Sequence, residues 1–122
     1  MLSLASGARD DAAPRDITWL LVSPNNRPLG RGGTVFTTSQ ACREAVLALR
    51  RNHRRARGSS AVTDPTGQWS WRVDVDGSTV AISNRTYLRH RECAYNLDRF
   101  LQAVPVAVLM DEVRVVGGRR GR

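Results

Sequence analysis

Apolar residues along this chain follow two rhythms, and each rhythm occurs twice. In "GQWSWRVDVD", Trp69, Trp71, Val73 and Val75 alternate with Ser70, Arg72 and Asp74. A period of two places the apolar set on one face of a strand. "DITWLLVS", ending at Ser23, is rich in β-branched and aromatic residues and reads as an earlier strand. In "TSQACREAVLALRRN" the rhythm changes. Cys42, Ala45, Val46 and Leu49 fall at i, i+3, i+4 and i+7, one apolar stripe on a helix, and Ser39 is its expected N-cap. In "RHRECAYNLDRFLQAV" the stripe is Cys93, Leu97, Phe100, Leu101 and Val104, and Pro105 ends it.

These segments align on one another at an offset of 51 residues without a gap. Val22 falls on Val73, Leu29 on Val80, Phe36 on Tyr87, Cys42 on Cys93, Val46 on Leu97, Leu49 on Phe100 and Val62 on Val113. The agreement lies in residue class and order, with few identities; such a period is sought early because it decides the architecture. Each first strand runs into a turn, "PNNRP" or "DVDGS". Asp76-Gly77 is a strong hairpin signal, and Asn25-Asn26 is its weaker counterpart. Return strands are expected near Pro28–Arg31 and Thr79–Ser83, followed by brief extended pieces carrying Phe36 or Tyr87. After each helix comes a closing strand, "SSAVTD" or "DEVRVV". Each unit therefore reads β-β-(β)-α-β. One unit cannot bury its own stripe and sheet face. Two predict an α+β domain: one antiparallel sheet with two helices packed on one face. The expected boundaries are a disordered N-terminal arm at 1–16, repeat one at 17–64, repeat two at 68–116 within a single domain, and a basic flexible tail at 117–122.

"WSWRVDVDGSTVAISNRTYLRHRECAYNLDRF" resembles the repeat of the YegP-like family, small bacterial and archaeal proteins of uncharacterised function. Trp71, Asp76, Gly77, Val80, Ser83, Tyr87, Cys93, Asn96 and Leu97 stand where that repeat would put them. The first unit is degenerate: Asn26 replaces the turn Gly, Gly32 the Ser, and Ala45 the helix Asn. The resemblance covers roughly residues 17–116. It implies tandem units sharing one sheet, with closing strands exchanged between units. It implies no activity, because the family has no agreed one.

Composition narrows the partners. The 122 residues carry a formal charge of +8, and all 19 basic residues are Arg. That balance favours nucleic acid first, an anionic membrane surface second and an acidic protein third. Arg forks suit phosphate, although the total absence of Lys also fits a GC-rich coding bias. The longest apolar run, "VPVAVLM" from Val104, falls far short of the ~20 residues of a spanning helix. The opening segment lacks the basic n-region of a signal peptide. Two cysteines without an export signal point to a reducing, cytoplasmic setting.

Candidate chemistry is sparse. Cys42 and Cys93 lie on the apolar stripes and read as buried small hydrophobes; a redox role would need exposure in an electropositive site. His90-x-x-Cys93, with Cys42 and His53, lacks the tight paired spacings of a zinc site. The carboxylates are scattered. "GRGG" at Gly30–Gly33 reads as a flexible turn, since it lacks the Lys-Ser/Thr of a phosphate loop. Trp69 and Trp71 share a sheet face. They are core if helices cover it, or a base-stacking platform beside Arg72 and Arg85 if it is open. No cofactor or metal is expected, and the chain reads as non-catalytic.

The remaining feature is "RRNHRRAR", Arg50–Arg57. Arg50 and Arg51 complement the helix dipole, which leaves Arg54, Arg55 and Arg57 unexplained. Arg43 adds a sixth charge on the same helix, and Glu44 is the sole acid between Arg43 and Arg57. The matching place in the second unit, "LQAVPVAV", is apolar, so the basic run lies outside the repeat pattern. The expectation is a nucleic-acid-binding module contacting phosphates through Arg50, Arg51, Arg54, Arg55, Arg57 and Arg43, assisted by Arg119, Arg120 and Arg122. The alternative is a protein-interaction or dimerisation module acting through exposed sheet edges.

Overall fold

The structure, a computed structural model, describes residues 2–7, 17–63 and 65–116. It is a mixed α+β fold: one sheet and two helices. The strands are β1 (Leu2–Gly7), β2 (Ile17–Val22), β3 (Pro28–Gly32), β4 (Arg57–Thr63), β5 (Gln68–Val75), β6 (Ser78–Ser83) and β7 (Leu109–Val116). The helices are α1 (Ser39–Arg51) and α2 (His90–Ala103), each followed by a 3-10 turn, η1 (His53–Arg55) or η2 (Val104–Val106). The sheet order is β4-β5-β6-β3-β2-β1-β7. Its first five strands form an antiparallel block.

Two expectations change at the far edge. Leu2–Gly7, assigned above to a disordered arm, is a strand paired antiparallel to β2; Leu2 and Leu4 alternating with Ser3 and Ala5 were the available signal. The sheet is also not wholly antiparallel, because β7 runs parallel to β1. β4 pairs with β5. β7 does not reach β2 directly, because β1 lies between them. The rest of the arm (8–16) and the basic tail with Arg119, Arg120 and Arg122 lie outside the described residues, as does Asp64 at the expected end of repeat one.

From β3 onward the 51-residue spacing holds: α1 begins at Ser39 and α2 at His90, η1 at His53 and η2 at Val104. The opening strands depart from it. Leu21 faces Gly30 while Val73 faces Ala81, so Leu21 rather than Val22 corresponds to Val73, and Trp19 corresponds to Trp71. The reason is the turn. Asp76 (φ 52°) and Gly77 (φ 84°) both take positive φ in a two-residue hairpin loop. In the first half only Asn26 does (φ 67°), and the wider loop is closed by Ser23 N–H to Arg27 O at 2.9 Å. The extra residue moves the preceding strand by one position.

Trp19, Leu21, Trp71 and Val73 from the strands, with Cys42, Val46, Leu49, Cys93 and Phe100 from the helices, form one buried cluster. Phe100 sits between the two indoles, its ring centre 4.8 Å from Trp71 and 6.2 Å from Trp19. Gly30 makes this possible: a Cβ there would lie 2.6 Å from Trp71 Cη2 and 2.7 Å from Phe100 Cδ1. Gly30 and Gly32 are thus strand residues set by ring packing, not a flexible turn. Capping also differs from expectation. The N-cap of α1 is Thr38, whose Oγ1 accepts from Ala41 N–H at 3.0 Å, and Ser39 is the first helical residue. α2 ends at Ala103, and Pro105 falls inside η2.

Candidate functional site

Strand alternation decides which arginines share a surface. A Cβ on Gly58 would lie 2.8 Å from Leu97 Cδ2 of α2, so Arg57, Ser59 and Ala61 project from the other side of β4. Gly30 points at Phe100, so Arg31 likewise projects from the other side of β3. Register then aligns Ser59, Arg72, Ile82, Arg31 and Leu20 in one row across five strands. Ser59, Arg72, Ile82 and Arg31 of this row line an open cleft of about 650 Å³, together with Arg85, Ser70 and Asn84 among others.

Electrostatically the cleft is positive. Arg31, Arg72 and Arg85 are exposed. Arg85 lies over the Tyr87 ring, 5.3 Å from its centre, a cation–π contact. Arg72 Nε is 3.5 Å from Asp74 Oδ2, and Asp74 Oδ1 also accepts from Thr79 Oγ1 at 2.8 Å. Among the described residues the ion pair at this cleft is Arg72–Asp74, and its carboxylate is shared with a threonine. Hydroxyl and amide groups of Ser59, Ser70 and Asn84 supply neutral donors beside them. Such a surface suits phosphate oxygens, for which Arg offers bidentate donors.

The six arginines singled out from sequence are dispersed along one connection. Arg50 and Arg51 occupy the last turn of α1, Arg54 and Arg55 lie in η1, and Arg57 opens β4. Their segment is ordered rather than a bare linker: His53 Nδ1 lies 2.9 Å from Arg50 O, and Arg55 Nη2 lies 2.7 Å from Asp76 Oδ2 at the β5–β6 turn. Arg57 Nη1 donates to Ala56 O and Arg54 O, at 3.2 and 3.3 Å. Arg43 and Arg50 are half-buried, and Arg43 has a partner. Arg51 and Arg54 are exposed. Of the six, Arg57 alone is placed by strand alternation on the cleft's face, at its edge. Arg31 was missed because its alignment with Arg72 depends on β3–β6 pairing, which no local pattern announces.

The other expected groups fall as follows. Trp71 is buried against Phe100, and its indole Nε1 donates to Asn96 Oδ1 at 2.6 Å, so it is core and offers no stacking platform. Trp69 packs against the His90 ring at 4.6 Å. Cys42 and Cys93 are fully buried free thiols. Burial pushes the Cys42 thiol up to about 11 and raises Cys93 as well, which disfavours the thiolate form of both. Burial also raises Tyr87, against the opposing effect of Arg85. Among the described residues no three His, Cys, Asp or Glu side chains converge as a metal site. None of their helices is long and apolar enough to cross a membrane.

Comparison with known proteins places the fold. The chain is similar to the solution structure of yegP from E. coli, a protein of unknown function, with a TM-score of 0.65 at 11% identity over 97% of this chain and 94% of that one. It is also similar to a UPF0339 protein from Shewanella oneidensis, with a TM-score of 0.64 at 9% identity over 94% and 89%. The fold is therefore YegP-like. No protein-family model matches the chain, and no curated protein does.

Proposed function

We propose that this protein is a non-catalytic binding module for nucleic acid or another polyanion, and that its contact surface is the sheet cleft floored by Arg31 and Arg72 and walled by Arg85. The observation that carries this reading is the alignment of Arg31 and Arg72 across Ile82 in one row, with Asp74 paired to Arg72. The exposed members of the basic run, Arg51 and Arg54, extend the positive field around the module, and Arg57 stands at the cleft's edge. Contact through guanidinium groups and hydroxyls would be largely blind to sequence, since phosphate contacts position and base contacts specify.

The reading rests on an architecture of two tandem repeats (17–64 and 68–116) with both helices on the face opposite the cleft. Supporting it are the equal spacing of helices and 3-10 turns and the way Phe100 meets an indole from each half. It also includes a reducing, cytoplasmic setting, which suits two buried free thiols.

The test is a salt titration of binding to single- and double-stranded DNA and RNA. Wild type is compared with an Arg31→Ser/Arg72→Ser/Arg85→Ser variant and an Arg50→Ser/Arg51→Ser/Arg54→Ser/Arg55→Ser variant. Three released counterions predict a log–log slope of about −2 to −3. The cleft variant should lose most of the affinity and flatten the slope, and the second variant should lose less. The reverse ranking returns the site to the basic run. Absence of binding at low salt defeats both. It would favour a protein-interaction module at β4, the strand that ends the sheet and carries half-exposed Val62, detectable as self-association in sedimentation equilibrium.

A further inference from the structure

An open pocket of about 330 Å³ lies beside α2, lined by Arg85, Tyr87, Glu92, Tyr95, Asn96 and Arg99. The residues 51 positions earlier are Thr34, Phe36, Ala41, Glu44, Ala45 and Ala48. Of these, Thr34, Phe36, Ala45 and Ala48 line a pocket of about 310 Å³ beside α1. Both halves therefore leave a hollow of similar size at the same place in the frame. The first half lines it at these positions with small and apolar groups, so packing there requires neither arginine nor amide. The second half places charge, amide and phenol around it.

These groups are arranged in contact with one another. Arg85 lies 5.3 Å from the Tyr87 ring centre and Arg99 lies 5.9 Å from that of Tyr95. The Tyr95 side chain is 66% exposed, so burial does not account for its ring, and Arg99 is exposed with it. Asn96 Oδ1 accepts from the Trp71 indole N–H, which fixes the planar amide and leaves its Nδ2 donors for the pocket. Among the described residues the lining brings together two guanidinium groups and the Glu92 carboxylate. Arg85 also lines the sheet cleft, so the two hollows adjoin at one side chain.

We propose that the pocket beside α2 takes one unpaired nucleotide of a single strand whose neighbouring phosphates lie in the sheet cleft. Its phosphate meets Arg85 and Arg99, its base lies against the Tyr95–Arg99 pair, and Asn96 Nδ2 donates to an acceptor on the base edge. The inference rests on the polyanion reading and narrows it to single-stranded nucleic acid. Unstacked bases lie on aromatic rings and guanidinium planes, whatever their sequence. The pocket is at the small end of the ~300–1,000 Å³ of ligand sites, a size for one nucleotide. In a duplex the bases are paired and stacked, and none can reach a ring beside α2.

The experiment measures binding of a fluorescent oligothymidylate, and of a blunt DNA duplex of the same length, to the full chain at low salt. The single strand should bind about tenfold more tightly than the duplex. Tyr95→Ala should weaken the strand about tenfold, the worth of one stacked base, and leave the duplex unchanged, while Tyr95→Phe keeps the ring and the affinity. Arg85→Thr/Arg99→Ala installs the first half's residues, which that half shows to be compatible with the frame, and should weaken the strand further. In ¹H–¹⁵N spectra the strand should shift the Trp71 indole, whose acceptor Asn96 lines the pocket, more than the Trp19 indole. Arg31→Ser/Arg72→Ser tests the cleft alone and should weaken both probes. The proposal is overturned if Tyr95→Ala binds the strand as wild type does, or if wild type binds the duplex as tightly as the strand; the cleft reading outlives either result when Arg31→Ser/Arg72→Ser still weakens both probes. Thymidine monophosphate binding as tightly as the oligomer would assign the pocket to a free nucleotide and overturn the strand. Failure of wild type to bind either probe overturns both readings.

Discussion

The two halves of this molecule share a frame and differ in how they complete it. The second half is closed. Its turn has the minimal two-residue loop, its indole is bonded to Asn96, and its 3-10 turn is apolar Val104-Pro105-Val106. The first half is open. Its turn is one residue longer, and its 3-10 turn is His53-Arg54-Arg55. Yet the first half has the better helix start: Thr38 caps α1, whereas Arg89 at the start of α2 makes no side-chain cap bond. The difference teaches that helix spacing and strand pairing tolerate change in polar detail as long as the rings around Phe100 stay packed. The second half carries the indole–amide bond, and the first carries the charged 3-10 turn.

That contrast can be broken most severely at its hinge. Phe100→Ala removes the ring that both indoles touch and should cost ~3–5 kcal/mol in denaturant unfolding. Loss of cooperativity confined to one half would show that the halves are separable.

A second test is alkaline. Cys42 has its folded pKa raised from 9.0 to about 11. The unfolded chain therefore releases this proton first, and stability present below pH 9 falls as pH rises toward 11, on the order of 2–3 kcal/mol. Cys42→Ala should flatten that slope in pH-dependent unfolding more than Cys93→Ala does.

Next in size is the exchange of fastening between halves. Asn96→Ala orphans the Trp71 donor and should lose ~1–3 kcal/mol in denaturant unfolding, while Ala45→Asn, which meets no orphaned donor, should bring no comparable gain. Thr38→Ala should cost ~1 kcal/mol through loss of the cap, with Arg89→Ser recovering a similar amount in α2. Smallest is the Arg55–Asp76 pair. Both side chains are more than half exposed, so a double-mutant cycle should give under ~1 kcal/mol, falling with salt.

Much of this architecture could be read from the residues. Alternation in Trp69–Val75 and the i, i+3, i+4, i+7 stripe of Cys42–Leu49 are local consequences of strand and helix geometry, and Asp76-Gly77 declares its own turn. What escaped reading was lateral. Gly30 looked like a hinge because the Trp71 and Phe100 rings that forbid a side chain there come from 41 and 70 positions along the sequence. The cleft escaped for the same reason, as Arg31 and Arg72 meet only through the register of β6. The basic run was conspicuous because it is contiguous, yet part of its charge is answered by Asp76, 21 positions away. The strand offset also misled, because a gapless alignment cannot represent an extra residue in a turn.

The insertion of β1 between β2 and β7 has a consequence for the order in which the chain folds. β5 and β6 are joined by a two-residue loop and β4 precedes β5 almost as closely, so these ladders close short loops. The pairing of Leu2–Gly7 with Leu109–Val116 has the greatest sequence separation in the sheet. Non-local and parallel pairings are the slow ones. The meeting of β1 with β7 is therefore expected to come last, which pulse-labelled hydrogen exchange would check as late protection of the β1–β7 amides.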